Sequence, residues 1–154
     1  FGDARPMDSI TRLTAVSPGR SRLDITHPPS GRTTTTDEPE PLGEGSAMTP
    51  LQTFFSGFLG STNVILRKCA ERHGAKIMAL ELDLAVNVNR RGMTFEEEVA
   101  QPFPKATLTH KVVTDADEET FAAMVDDLNR HCALHRAIRN AGIELVEIWD
   151  VERP

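Results

Sequence analysis

The sequence predicts an α+β fold in one domain, 1–154, and three observations carry the prediction. Short β-branched runs cluster in the first third of the chain. Two later stretches repeat apolar residues at helical spacing, and two long strands lie between them. A chain of 154 residues with 39% hydrophobic content is enough for one core and too little for two.

The first third, 8–36, reads as a β-meander. Ser9–Val16 and Arg20–His27 are separated by Ser17-Pro18-Gly19, a turn signal, and Pro28-Pro29-Ser30-Gly31 is a second turn before the run Thr33–Thr36. Residues 37–45 are rich in Pro and Gly and form a loop.

The first helix covers 49–73. Thr49 is an N-cap, Pro50 takes the first helical position, and Gln52 completes a capping box. Leu51, Phe54, Phe55, Phe58, Ile65, Leu66 and Cys69 form its apolar stripe, and Gly74 stops it. The stripe is broad enough to ask for apolar neighbours on more than one side, which a dimer would supply. Gly57, Gly60 and Ser61 sit mid-helix, where each glycine costs about 1 kcal/mol relative to Ala, so close approach by another helix or a ligand is expected there.

A long strand pair fills 76–114. Met78, Leu80, Leu82, Leu84, Val86 and Val88 alternate with polar residues up to Arg90-Arg91-Gly92. Phe95–Pro104 is a loop and Lys105–Thr114 the partner strand. A second helix over 116–140 starts on an acidic turn, carries Phe121, Met124, Leu128, Cys132, His135 and Ile138 on its inner face, and ends at Asn140-Ala141-Gly142. Ile143–Trp149 is the last strand.

Composition removes several functional classes. With 17 Lys+Arg against 23 Asp+Glu the net charge is −6, and no basic block exists to hold a phosphate backbone, so no nucleic-acid partner is expected. No stretch approaches the length of a membrane helix, and the chain reads as soluble and cytoplasmic with no membrane partner. There is no Gly-rich phosphate loop, no serine-elbow motif and no paired-carboxylate motif, and neither a cofactor nor a metal is expected.

What remains is thiol chemistry. Cys132 lies in Arg130-His131-Cys132-Ala133-Leu134-His135-Arg136, among groups that favour a thiolate, and it equally reads as a small core hydrophobe. His131 and His135 are four apart and could share a metal with a cysteine, or could be solvated and capping residues. Cys69 near the end of the first helix reads as a buried core thiol, and a Cys69–Cys132 disulfide needs a distance that sequence cannot set.

The loop Asp37-Glu38-Pro39-Glu40-Pro41-Leu42-Gly43, the helix opening Thr49-Pro50-Leu51, the long strand from Lys76, the lead-in Asp115–Glu119 and the pair His131-Cys132 together resemble the OsmC/Ohr superfamily of osmotically induced and organic hydroperoxide resistance proteins. The resemblance spans most of the chain. It implies an intertwined homodimer of two central helices wrapped by antiparallel sheets. It also implies reduction of organic hydroperoxides in the oxidative-stress response by a peroxidatic cysteine on the first helix and a resolving cysteine on the second. There a thiolate attacks the O–O bond, becomes a sulfenic acid, and condenses with the second thiol to a disulfide.

Carried over by position, the resolving column is Cys132. The peroxidatic column, about three helical turns past Pro50, is Ser61, and a serine has no sulfenic state. The family's glutamate is replaced by Leu51, and Arg20 or Arg32 stands for its arginine. The resemblance therefore implies the scaffold without its peroxidatic thiol. The alternative is a non-catalytic module that binds a hydrophobic small molecule in a cleft by Phe54, Phe55, Phe58 and Gly60.

Overall fold

The computed structural model describes residues 2–154, in two compact units: a first up to Gly57 and a second, Phe58–Pro154.

The first unit holds an antiparallel sheet of β1 (Thr14–Gly19), β2 (Arg22–His27) and β3 (Arg32–Thr36), in that order. The expected turn at Ser17-Pro18-Gly19 is displaced. Those residues stay in β1, the register slips between Val16 and Gly19, and the chain reverses at Arg20-Ser21 with Arg20 at φ 51. Pro18 has no N–H for the ladder, so the proline marks a bulge on an edge strand and not the reversal itself. Ser17 Oγ donates to the Arg22 carbonyl across the bulge (3.0 Å).

The loop after β3 is organised by one buried carboxylate. Asp37 accepts from Ser21 Oγ (2.7 Å), Ser46 Oγ (2.7 Å) and the backbone N–H groups of Glu38 (2.8 Å), Glu44 (3.2 Å) and Ser46 (3.1 Å). These donors, the two hydroxyls foremost, hold its pKa well below the usual carboxylate range. Gly43 lines the same cradle, and a Cβ there would lie 2.2 Å from Asp37 Oδ1 and from the Glu38 carbonyl.

Helix α1 (Pro50–Arg72) begins as its sequence demands. Thr49 N–H donates to Gln52 Oε1 (3.0 Å) and Gln52 N–H to Thr49 Oγ1 (3.2 Å), closing the capping box. At its far end Gly74 adopts φ 71, and Ala75 N–H returns to the Ala70 carbonyl (2.8 Å), a Schellman ending.

In the second unit β4 (Ile77–Val86), β5 (Lys105–Thr114) and β6 (Glu144–Glu152) form a sheet in the order β4-β5-β6. β4 and β5 are antiparallel, as the alternation requires, but β6 runs parallel to β5. This sheet is mixed, a detail that differs from the expected all-antiparallel arrangement, because a crossover through helices brings β6 back in the direction of β5.

The expected second helix, 116–140, is divided in two: α2 (Glu118–His131) and α3 (Ala133–Asn140), with Cys132 extended between them at φ −71, ψ 116. Asp117 caps α2 through Thr120 N–H (2.7 Å). The unit's core gathers Leu66, Cys69, Ala70, Ile77, Val112, Ala116, Phe121, Met124, Leu128 and Cys132. Each large aliphatic or aromatic side chain buried here contributes roughly 1.5–3 kcal/mol, which is what fixes α1, α2 and the sheet of this unit against one another.

Candidate functional site

The break between α2 and α3 places the site. Cys132 is fully buried at the junction, and its Sγ lies 3.3 Å from Ser61 Oγ on α1. The residue expected in the peroxidatic column and the residue expected in the resolving column therefore meet side by side. They meet as a hydroxyl and a thiol.

The second thiol is elsewhere. Cys69 is buried in the core and free, as is Cys132, and burial, reinforced by Asp127, pushes its pKa up to about 11. A thiol held protonated is a poor nucleophile, so the core-thiol reading of Cys69 holds.

Arg20 and Arg32 belong to the first unit. The Arg20 guanidinium bonds the Glu40 carboxylate (3.3 Å) and the Pro41 carbonyl within its own unit. Arg32 opens β3 opposite His27 and donates its N–H to Ser30 Oγ (3.2 Å).

One turn beyond Cys132 is a group that sequence reasoning did not assemble. His135 is fully buried, with its ring 4.8 Å from that of Phe58. Its Nε2 is 3.0 Å from Thr62 Oγ1, and its Nδ1 is 3.3 Å from Glu147 Oε1. Arg139 approaches the other carboxylate oxygen at 3.6 Å and also donates to Asn129 Oδ1 (3.0 Å). On β5, His110 stacks on Trp149 of β6 at 3.5 Å and bonds the Ile148 carbonyl through Nδ1 (3.0 Å).

Burial sets the electrostatics of these groups. It pushes the His135 pKa down to about 4, helped by the charge of Arg139 and by His110. It lowers His110 as well and raises Glu147, the latter against the opposing pull of Asn129 and Arg139. His110 Nε2, His135 Nδ1 and Glu147 Oε1 are buried without a well-aligned hydrogen-bond partner.

The shared-metal reading of His131 and His135 does not survive the helix break. His131 ends α2 in solvent while His135 is buried in α3, and among the described residues no group of three His, Cys, Asp or Glu side chains is placed to hold a metal. The apolar cleft is also revised: Phe55 and Phe58 are buried, leaving Phe54 exposed. At Gly60 a Cβ would meet nothing within 4 Å, so among the described residues of its unit none makes the close approach expected there.

A thiol at a break between two helices, facing α1 across an α+β scaffold, is the arrangement the class has to account for. The OsmC-like protein family model matches residues 43–146, and the chain belongs to that family. No curated protein matches it. Among solved structures it is similar to an OsmC-like protein of Mycoplasma pneumoniae (14% identity, 94% of this chain and 99% of that one, TM-score 0.78). It is also similar to an organic hydroperoxide resistance protein OsmC of Legionella pneumophila (17% identity, 95% and 99% covered, TM-score 0.67). A third is the organic hydroperoxide resistance protein OhrB of Bacillus subtilis (20% identity, 92% and 98% covered, TM-score 0.60). At such identities the likeness is one of fold.

Proposed function

We propose that this chain is an OsmC-type stress-response protein, related to the organic hydroperoxide reductases, whose two-thiol site has been reduced to one thiol. The observation that carries the reading is the 3.3 Å contact between Ser61 Oγ and Cys132 Sγ. Two-cysteine turnover oxidises one thiolate to a sulfenic acid, which a neighbouring thiol condenses with to release water. A hydroxyl can hydrogen-bond that thiol, but it cannot be oxidised in its place. Leu51 in place of a carboxylate removes a second part of the family's machinery.

The working form is a homodimer. In the second unit β4 leaves Leu80, Leu82, Leu84 and Val86 only half-covered, and on α1 Val64 is 49% exposed beside the open Gly60. A second copy would cover that surface, and light scattering behind a sizing column should return twice the 17.0 kDa chain mass.

The activity test is a dithiol-coupled assay with cumene hydroperoxide. Wild type is expected to show no turnover above the dithiol background. Robust turnover abolished by Cys132→Ser would contradict the reading and make Cys132 a one-cysteine peroxidase centre. A second reading, binding of a hydrophobic small molecule, is favoured by the exposed Phe54. Native mass spectrometry of protein purified from its own host tests it: a co-purifying acyl or aromatic ligand supports it, and a consistently empty protein rejects it.

A further inference from the structure

The hydrogens around His135 can be assigned from its neighbours. The Thr62 hydroxyl back-bonds the Phe58 carbonyl at 2.9 Å, which commits its one proton. At His135 Nε2, 3.0 Å away, Thr62 Oγ1 must then accept, so Nε2 carries the ring proton. That leaves Nδ1 of the neutral ring as a bare lone pair 3.3 Å from Glu147 Oε1, and neither atom has another hydrogen-bond partner. Two acceptors at that distance in a buried place repel unless a proton lies between them.

We propose that His135 and Glu147 hold one proton between them and form a pH-operated latch over Cys132. With the proton in place the pair ties α3 to β6, and the thiol at the α2–α3 junction stays covered. When the proton leaves to solvent at alkaline pH, two unpaired acceptors remain inside, α3 loosens from β6, and Cys132 becomes accessible.

Of the other groups that face the pair, Asn129 and Arg139 pull Glu147 toward its charged form, and burial outweighs them. From α3 itself Arg139 sits 3.6 Å from Glu147 Oε2, and Asn129 of α2 bonds Arg139. From β5 comes His110, and from α1 the uncharged Thr62. Arg139 reaches Oε2 while Oε1 has no hydrogen-bond donor, and burial lowers the pKa of His110. Burial raises the Glu147 pKa and lowers that of His135, the directions expected of a pair whose shared proton rests on the carboxyl.

The latch concerns access to Cys132 whatever it reacts with, so a negative peroxidase assay leaves it standing. The test is iodoacetamide labelling of the intact chain from pH 6 to pH 9, with modification at Cys132 read by peptide mass spectrometry. Wild type is compared at each pH with Glu147→Gln, whose amide N–H donates to Nδ1 at every pH. Taking the ratio cancels the thiolate fraction. The ratio should be near one at pH 6 and rise to about tenfold by pH 9, the local opening that an unpaired buried acceptor produces. A ratio that does not change with pH overturns the latch. If Glu147→Gln fails to fold, ¹⁵N NMR of the wild-type imidazole decides: an Nε2–H ring whose Nδ1 signal shifts between pH 7 and pH 9 supports the latch, and an Nδ1–H tautomer or a flat titration overturns it.

Discussion

Two carboxylates taken out of water meet opposite fates in this chain. Asp37, in the loop of the first unit, is surrounded by hydroxyl and amide donors that are fixed in place, so its charge is the favoured form. Glu147, on β6, is taken out of water with Oε1 unpartnered, and burial favours its neutral form against the pull of Asn129 and of Arg139 3.6 Å off. A buried carboxylate supplied with donors is a rivet; one set against another acceptor is a titrating group.

The largest expected break on the Asp37 side comes from Gly43→Ala. A Cβ 2.2 Å from the carboxylate and from a backbone carbonyl cannot be absorbed by moving a flexible side-chain tip, and overpacking of this kind costs about 3 kcal/mol. Urea unfolding should show a correspondingly lowered midpoint, with protease cleavage appearing between 37 and 46.

The exchange of acid for amide separates the two sites. Asp37→Asn replaces an acceptor oxygen with an N–H₂ aimed at existing donors and should lower the thermal midpoint clearly. Glu147→Gln supplies the hydrogen that His135 Nδ1 lacks and should change stability at pH 7 by less than about 1 kcal/mol. Equal losses from the two changes would erase the distinction.

Thr62→Val tests the other end of the His135 pair. It leaves Nε2–H buried without an acceptor and should cost about 1–3 kcal/mol by chemical denaturation.

The pH dependence follows from the signs. The folded pKa of His135 is depressed to about 4, so this group withdraws stability as pH falls from its ordinary 6.5. The folded pKa of Glu147 is raised above 4.5, so this group withdraws stability as pH rises from there. From pH 4.5 upward the two contributions oppose one another. The part of the urea midpoint's pH dependence that falls as pH rises should be absent from Glu147→Gln. The smallest effect is Thr49→Ala, which removes half of the capping box and should cost about 1 kcal/mol.

Local chemistry made much of this fold legible. Thr49-Pro50-Leu51-Gln52 fixed the start of α1 and Gly74 its end, and Lys105–Thr114, read as the partner of the alternating strand before it, is a strand over those residues. Proline misled at Pro18, where a missing N–H made a bulge one step before the turn. The break at Cys132 has no glycine or proline to announce it. The direction of β6 depends on where a crossover returns, which no short pattern encodes.

The site divided in the same way. Ser61 and Cys132 could be placed by position along their helices, and they meet. Thr62, His135 and Glu147 come from α1, α3 and β6, and only packing brings them together. The one signal available was a polar residue on an apolar helical stripe, which marked His135 without naming its partners.

The reduction of a two-thiol site to one thiol is tested most directly by restoring the missing sulfur. Ser61→Cys should oxidise under organic hydroperoxide to an intramolecular disulfide with Cys132, read by intact mass as the loss of two hydrogens, and should gain dithiol-dependent turnover that wild type lacks. A Ser61→Cys protein that stays fully reduced and inactive, or a wild type that already turns over hydroperoxide, would contradict it.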